Sequence, residues 1–161
     1  MTHRLQRFLS PKSVALFGSA WATNVAEQLR KFDYQGEVFP VHPTRDEIGG
    51  FACFKTVDAL PKVPDAAFVG VNRHATLEIV SSLAQAGAGG AVCFASGFKE
   101  SDHDDAEDIQ ESLIAAAGDM PILGPNCYGF INYLDNTPLW PDQMAVDWLP
   151  QAWASLPSPQ I

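Results

Sequence analysis

Cysteine is scarce in this chain of 161 residues, and Cys53, Cys93 and Cys127 are odd in number, far apart and without a CxxC pair. Neither a disulfide framework nor a zinc site is indicated, so the three are expected to be small core residues or loop thiols. His3, His42, His74 and His103 likewise lack metal-ligand spacing. Positive charge is also in short supply. Ten Lys and Arg stand against 19 Asp and Glu, a formal charge of −9, which disfavours nonspecific binding to nucleic acid or to an anionic membrane. An anionic ligand then requires a local positive site. The sequence has no run of eighteen apolar residues, and its first seven residues lack the apolar core and cleavage site of a signal peptide. A cytoplasmic location is expected, with neither nucleic acid nor membrane as partner. Charged residues make up only 18% of the chain while 47% of it is apolar, which suits one α/β domain with a buried core.

The chain is organised around Lys12-Ser-Val-Ala-Leu-Phe-Gly-Ser-Ala-Trp-Ala-Thr-Asn24. Residues 14–17 form a short branched and aromatic run of the kind buried on both faces of a parallel sheet, and Gly18 permits a sharp turn after it. A helix is expected to start near Thr23 or Asn24, either of which can cap it, with its free N–H groups and positive dipole end offering a seat for a phosphate. Further strands are read at residues 37–41, 66–71, 91–95 and 121–123, with a brief extended piece at 51–54 and a helical turn at 57–60. Helices are read at residues 1–12, 75–86 and 104–117, the last presenting Ala106, Ile109, Leu113, Ile114 and Ala117 at 3.6-residue spacing. Asp102, Asp104, Asp105, Glu107 and Asp108 fall where carboxylates favour the helix dipole, so a solvated helix start is expected there rather than an acidic docking patch. The alternation describes an α/β, Rossmann-like, doubly wound and mainly parallel five-stranded sheet with flanking helices.

A ligand of such a sheet lies across the carboxyl ends of its strands. The candidate loops are those from Gly18 to Asn24, from His42 to Arg45, Asn72-Arg-His74, Ser96-Gly-Phe98 and Gly124 to Gly129. A dinucleotide fingerprint needs G-x-G-x-x-G after the first strand and an acid after the second. This chain has Ala20 and Thr23 at the later glycine positions, and Arg45 where NAD binding needs an acid. A cation there suits a phosphate on the adenosine ribose, either that of NADP or the 3′-phosphate of coenzyme A.

Leu9-Ser-Pro-Lys-Ser-Val-Ala-Leu-Phe-Gly-Ser-Ala20, Gly36-Glu-Val-Phe-Pro-Val-His-Pro43, Ser96-Gly-Phe-Lys-Glu100 and Gly124-Pro-Asn-Cys-Tyr-Gly129 occur in that order. Together they resemble the amino-terminal CoA-binding domain of NDP-forming acyl-CoA synthetases, relatives of the succinyl-CoA synthetase α subunit, over residues 9 to about 143. The resemblance implies that coenzyme A or acyl-CoA binds here. It assigns Ser19, Ala20, Trp21, Ala22, Thr23 and Asn24, after Gly18, to the phosphates and adenosine, and places Arg45, beyond His42 and Pro43, where the family has a lysine at the CoA phosphates. Val71 and Asn72 would follow the third strand beside adenine and pantetheine. Phe94, Ala95, Ser96 and Gly97 would line the pantetheine arm, and Asn126 and Cys127 would approach its reactive end. Trp21 departs from the family pattern in a loop where proline and a further glycine are usual.

Members of the family activate an acid through an acyl phosphate and a phosphohistidine in a following domain, with an ATP-grasp module beyond it. None of the four histidines stands in that context, so this chain alone is expected to be inactive, with a partner chain carrying the missing ligase domains. Two alternatives stand beside this reading: an NADP-linked oxidoreductase or redox-sensing module, and an interaction subunit that binds no nucleotide. Residues 1–143 are expected to form the CoA-binding domain. Residues 144–161 depart from the family pattern, as a frameshift product would, and that tail offers a route to a homo-oligomer through Trp148 and Trp153.

Overall fold

The computed structural model describes residues 2–98 and 105–142. Helix α1 (Thr2–Leu9) leads into strand β1 (Ser13–Gly18), whose six residues are all buried. Helix α2 (Ala20–Lys31) and edge strand β2 (Glu37–Val41) follow, then a small hairpin of β3 (Glu47–Ile48) and β4 (Phe51–Ala52). After a 3-10 turn (Val57–Ala59) come β5 (Ala66–Gly70), α3 (Arg73–Ala86), β6 (Ala91–Cys93), α4 (Ala106–Ala117) and β7 (Ile122–Leu123). A second hairpin, β8 (Phe130–Asn132) and β9 (Thr137–Leu139), ends the described chain. The main sheet has the order β2-β1-β5-β6-β7, and all its pairings are parallel. The chain winds outward to β2, then returns to the other side of β1, so the switch point lies between β1 and β5.

Strand alternation divides the core in two. Val14 and Leu16 of β1 pack with Ala66 and Phe68 of β5 against Ala22, Val25, Ala26 and Leu29 of α2, whose spacing is that of one helical face. Ala15, Phe17, Ala67 and Val69 point the other way, onto Val80 and Leu83 of α3 and Ile109 and Leu113 of α4. Phe8 of α1 and Leu139 of β9 complete the first layer. The five expected strands and the doubly wound order are present. Pro40 sits in the edge strand, where its missing N–H costs no ladder bond within the sheet.

Two readings need correction. Helix α2 begins at Ala20, three to four residues before the expected start: Thr23 N–H already bonds Ser19 C=O at 3.0 Å, and the Thr23 hydroxyl donates to the same carbonyl at 2.9 Å, so Thr23 is inside the first turn and does not cap it. Ile114 of α4 is 59% exposed, because α3 covers only the stripe through Ile109, Leu113 and Ala117. The extended piece expected at 51–54 is present, as one arm of a hairpin, and the hairpin at 130–139 had no sequence reading. The lysine and acidic run at 99–104 with His103, and the tail expectation for 144–161, lie outside the described residues. Among the described residues no helix is long and apolar enough to cross a membrane, and no cluster of three or more His, Cys, Asp or Glu could hold a metal ion.

Candidate functional site

At the switch point Gly18 and Gly70 are register partners. Gly18 has a φ of +120°, and a Cβ on it would stand 2.4 Å from the Gly70 carbonyl oxygen. A Cβ on Gly70 would in turn stand 3.0 Å from the Trp21 Cβ. Only bare backbone fits, so the floor between the two strands carries no side chain where α2 begins. Two open cavities, of about 730 and 820 Å3, meet across this floor and share Trp21, Gly70, Val71 and Asn72.

The first cavity collects Gly18, Ser19, Ala20, Trp21, His42 and Pro43 with the apolar walls of Val41, Val57 and Ile79. The helix start there has no side-chain cap, because Ser19 Oγ lies 3.2 Å from His42 Nε2 instead. The backbone amides of Thr44 and Arg45 donate to His42 Nδ1 at 3.2 and 3.1 Å. With Nδ1 accepting, the proton of a neutral ring is on Nε2 and is donated to Ser19, which leaves the serine hydroxyl hydrogen for another acceptor. Ser19 O–H and the first-turn amides of α2 thus present donors to the cleft, the arrangement that suits a phosphate. The same tautomer makes His42 unsuited to withdraw a proton from Ser19, so the pair is not set up as a nucleophile and base.

Lys55, which the sequence reading passed over, lines this cavity as well. Backbone pairing brings it there: Phe54 N–H bonds Pro40 C=O at 2.8 Å and His42 N–H bonds Phe54 C=O at 2.9 Å, which lays residue 55 beside the end of β2. Its ammonium donates to Asp46 Oδ1 and to the Arg45 carbonyl, both at 2.9 Å, and this hydrogen bond lowers the Asp46 carboxyl below the usual range. Asp46 is 95% exposed, so the ion pair is weak enough for a ligand phosphate to displace it. The signal available in the sequence was only that 51–54 is extended, which says nothing of its partner.

The second cavity collects Trp21, Val71, Asn72, Phe94, Ala95, Ser96, Gly97 and Asn126. Asn72 accepts the Ala75 amide through Oδ1 at 3.0 Å as the cap of α3, which commits its oxygen and leaves its NH2 as the polar group it can offer. Arg73 Nη1 donates to the Gly97 carbonyl at 2.8 Å and its guanidinium pairs with Asp105, so it holds the loop after β6 in place. Phe94 faces Asn126 across an isolated antiparallel bridge.

Five expected site residues line neither cavity. Ala22 is buried against the sheet, since a helix starting at Ala20 puts it on the inner face. Thr23 is tied to Ser19, and Asn24 is half-buried on the next turn. Arg45 is exposed at the rim and touches the site through its backbone. Cys127 donates its amide to the Cys93 carbonyl at 3.1 Å beneath the cleft. Burial pushes the Cys93 thiol up to about 12, with Cys127 adding to the shift, so Cys93 is an inert core thiol.

Residues 12–133 match the sequence pattern of the CoA binding domain family, and the chain belongs to it. It is similar to trans-feruloyl-CoA synthase from an unknown prokaryotic organism, 34% identical over 142 residues that are 84% of this chain and 20% of the relative. It is also similar to the ADP-forming acetate–CoA ligase II of Archaeoglobus fulgidus, 31% identical over 80% of this chain and 20% of that one. Among solved structures, the apo form of the dinucleotide-forming acetyl-coenzyme A synthetase 1 of Ca. Korarchaeum cryptofilum superposes with a TM-score of 0.77 at 28% identity, over 84% of this chain and 31% of its own. The chain spans about a fifth of the length of these curated relatives.

Proposed function

We propose that this chain binds coenzyme A or its acyl thioester across the carboxyl ends of β1, β5 and β6, as the CoA-handling part of an acid–CoA ligase. The observation that supports it is the side-chain-free floor at Gly18 and Gly70 under the uncapped start of α2, with a cavity on each side. Adenosine would lie among Val41, Val57 and Ile79, its 3′-phosphate within reach of Lys55 and Arg45. The diphosphate would take the Ser19 hydroxyl and the first-turn amides. Pantetheine would cross Gly70 to Asn72 toward Asn126. An NADP reading is weaker, because Ala20 and Thr23 stand where a dinucleotide fingerprint has its later glycines.

The test is calorimetric titration with CoA, NADP and ADP, beside melting curves. CoA is expected to bind most tightly and raise the melting temperature, since a ligand of the folded state stabilises it by mass action. Lys55→Ala should weaken CoA by about 1–2 kcal/mol through loss of a phosphate contact, with a smaller loss for Arg45→Ala. A response to NADP without one to CoA would overturn the reading. The rest of the ligase reaction is assigned to segments that the match does not include, in the same protein or in a partner chain. The 161-residue chain on its own should therefore form no acyl-CoA from acid, ATP and CoA. Turnover by the rigorously purified chain would refute that division.

A further inference from the structure

Four aromatic rings run in an unbroken line from the second cavity to the molecular surface. Trp21 meets Phe94 at 5.0 Å between centroids with an interplanar angle of 81°, Phe94 meets Tyr128 at 5.0 Å and 57°, and Tyr128 meets Trp140 at 5.3 Å and 34°. Phe94 also stacks at 6.1 Å on Phe68, which is fully buried, so the line is fixed to the core at its middle. Yet Trp21 is 43% exposed and Tyr128 is 46% exposed. Large rings are left wet at a cost, and the two most exposed among the described residues, Trp21 and Tyr128, both belong to this line. An edge-to-face contact uses the edge of one ring, so that ring's faces remain uncovered by its neighbour.

The position of the line says which part of a ligand would reach it. Ser19, His42 and Lys55, the groups suited to phosphates, line the first cavity alone. Phe94 lines the second alone, Trp21 lines both, and Tyr128, which lines neither, packs on Phe94 at 5.0 Å between centroids. On the CoA-binding reading above, on which this inference rests, the second cavity receives the end of the pantetheine arm and whatever its sulfur carries. We propose that the rings of Trp21, Phe94 and Tyr128, with Trp140 packed behind Tyr128, receive an aromatic acyl group, and that the preferred ligand is an aryl thioester of CoA rather than acetyl-CoA. An acetyl group is too small to cover these faces, whereas an aryl ring can stack on one and exclude water from it.

The experiment compares the dissociation constants of CoA, acetyl-CoA and benzoyl-CoA for the native chain, Tyr128→Leu and Tyr128→Phe. Benzoyl-CoA is expected to bind roughly tenfold more tightly than acetyl-CoA, the equivalent of one aromatic contact. Tyr128→Leu should bring that ratio close to one, and Tyr128→Phe, which keeps the ring, should preserve it. Equal affinities in the native chain, or a ratio that survives Tyr128→Leu, would overturn the proposal. Failure of all three ligands to bind defeats the CoA reading itself, and is recognised by the loss of CoA binding rather than of the ratio.

Discussion

The two ends of the parallel sheet use similar residues in opposite ways. At the amino ends, polar groups close on one another: Arg7 Nε donates to Asp65 Oδ1 at 2.9 Å, the Lys12 amide to Asp65 Oδ2 at 3.0 Å, and the Asp65 amide to Ser13 Oγ at 3.1 Å. Tyr34 donates its hydroxyl to the Pro11 carbonyl at 2.8 Å, and Lys62 pairs with Glu37. A hollow of about 1140 Å3 lies there, larger than either cavity of the cleft, but Arg7 and Asp65, and Lys62 and Glu37, on its walls are already paired with each other. At the carboxyl ends the cavities are smaller, while Ser19 and the start of α2 turn donors outward and Lys55 is held only by the exposed Asp46 and a backbone carbonyl. Chemistry follows the direction of the strands, because that is where helix N-termini and the strand-ending glycines collect, and the size of a hollow does not decide it.

The largest effect should come from breaking the carboxyl end at its floor. Gly18→Ala places a Cβ against the Gly70 carbonyl at a φ of +120°, so both strain and a backbone clash are unavoidable. A loss of about 3 kcal/mol in urea unfolding is expected, together with loss of CoA binding. A loss below about 1 kcal/mol would mean that β1 and β5 can part there, and the close approach would not be what shapes the cleft. At the other end Asp65→Ala removes the acceptor for both Arg7 and the Lys12 amide. It should cost about 2 kcal/mol while leaving the CoA dissociation constant where it was. A matching loss of CoA affinity would show that the two ends are coupled, and the contrast between them would fail.

The same contrast explains what could be read from the sequence. Strands such as Val14 to Phe17 and Ala66 to Val69 are buried on both faces, so their apolar runs are continuous and their order follows from the βα alternation. The loops at the carboxyl ends were legible as a set, since topology alone puts Gly18, Asn72 and Ser96 there. What escaped were features set by pairing between distant segments. Lys55 reaches the cleft because Phe54 bonds to Pro40 and His42, and no periodicity in a four-residue extended piece announces that partner. The start of α2 was misplaced because Thr23 and Asn24 are good caps in isolation. In the fold the apolar stripe through Ala22, Val25, Ala26 and Leu29 extends the helix back to Ala20, and Ser19 is bonded to His42. Trp21 was visible as a departure from pattern, but its place in a line of four rings required Phe94, Tyr128 and Trp140 from three other segments.

The smallest effect sharpens the claim that the amino end is a closed seam. Burial first, and then the negative charges of Asp65 and Glu37, raise the Tyr34 phenol well above its ordinary value near 10. The neutral phenol is therefore favoured by the folded chain, and the unfolded chain releases its proton first as pH rises. Stability from this group is whole below pH about 10 and is lost progressively above it. Tyr34→Phe removes the bond to the Pro11 carbonyl and should cost about 1 kcal/mol at neutral pH. It also removes the titrating group, so between pH 9 and 11 the variant's melting temperature should fall less steeply than that of the native chain. Every other group is common to both proteins, and the difference between the two slopes isolates Tyr34. Parallel slopes would mean that water already reaches the phenol, and the seam at the amino ends would then be as open as the cleft opposite.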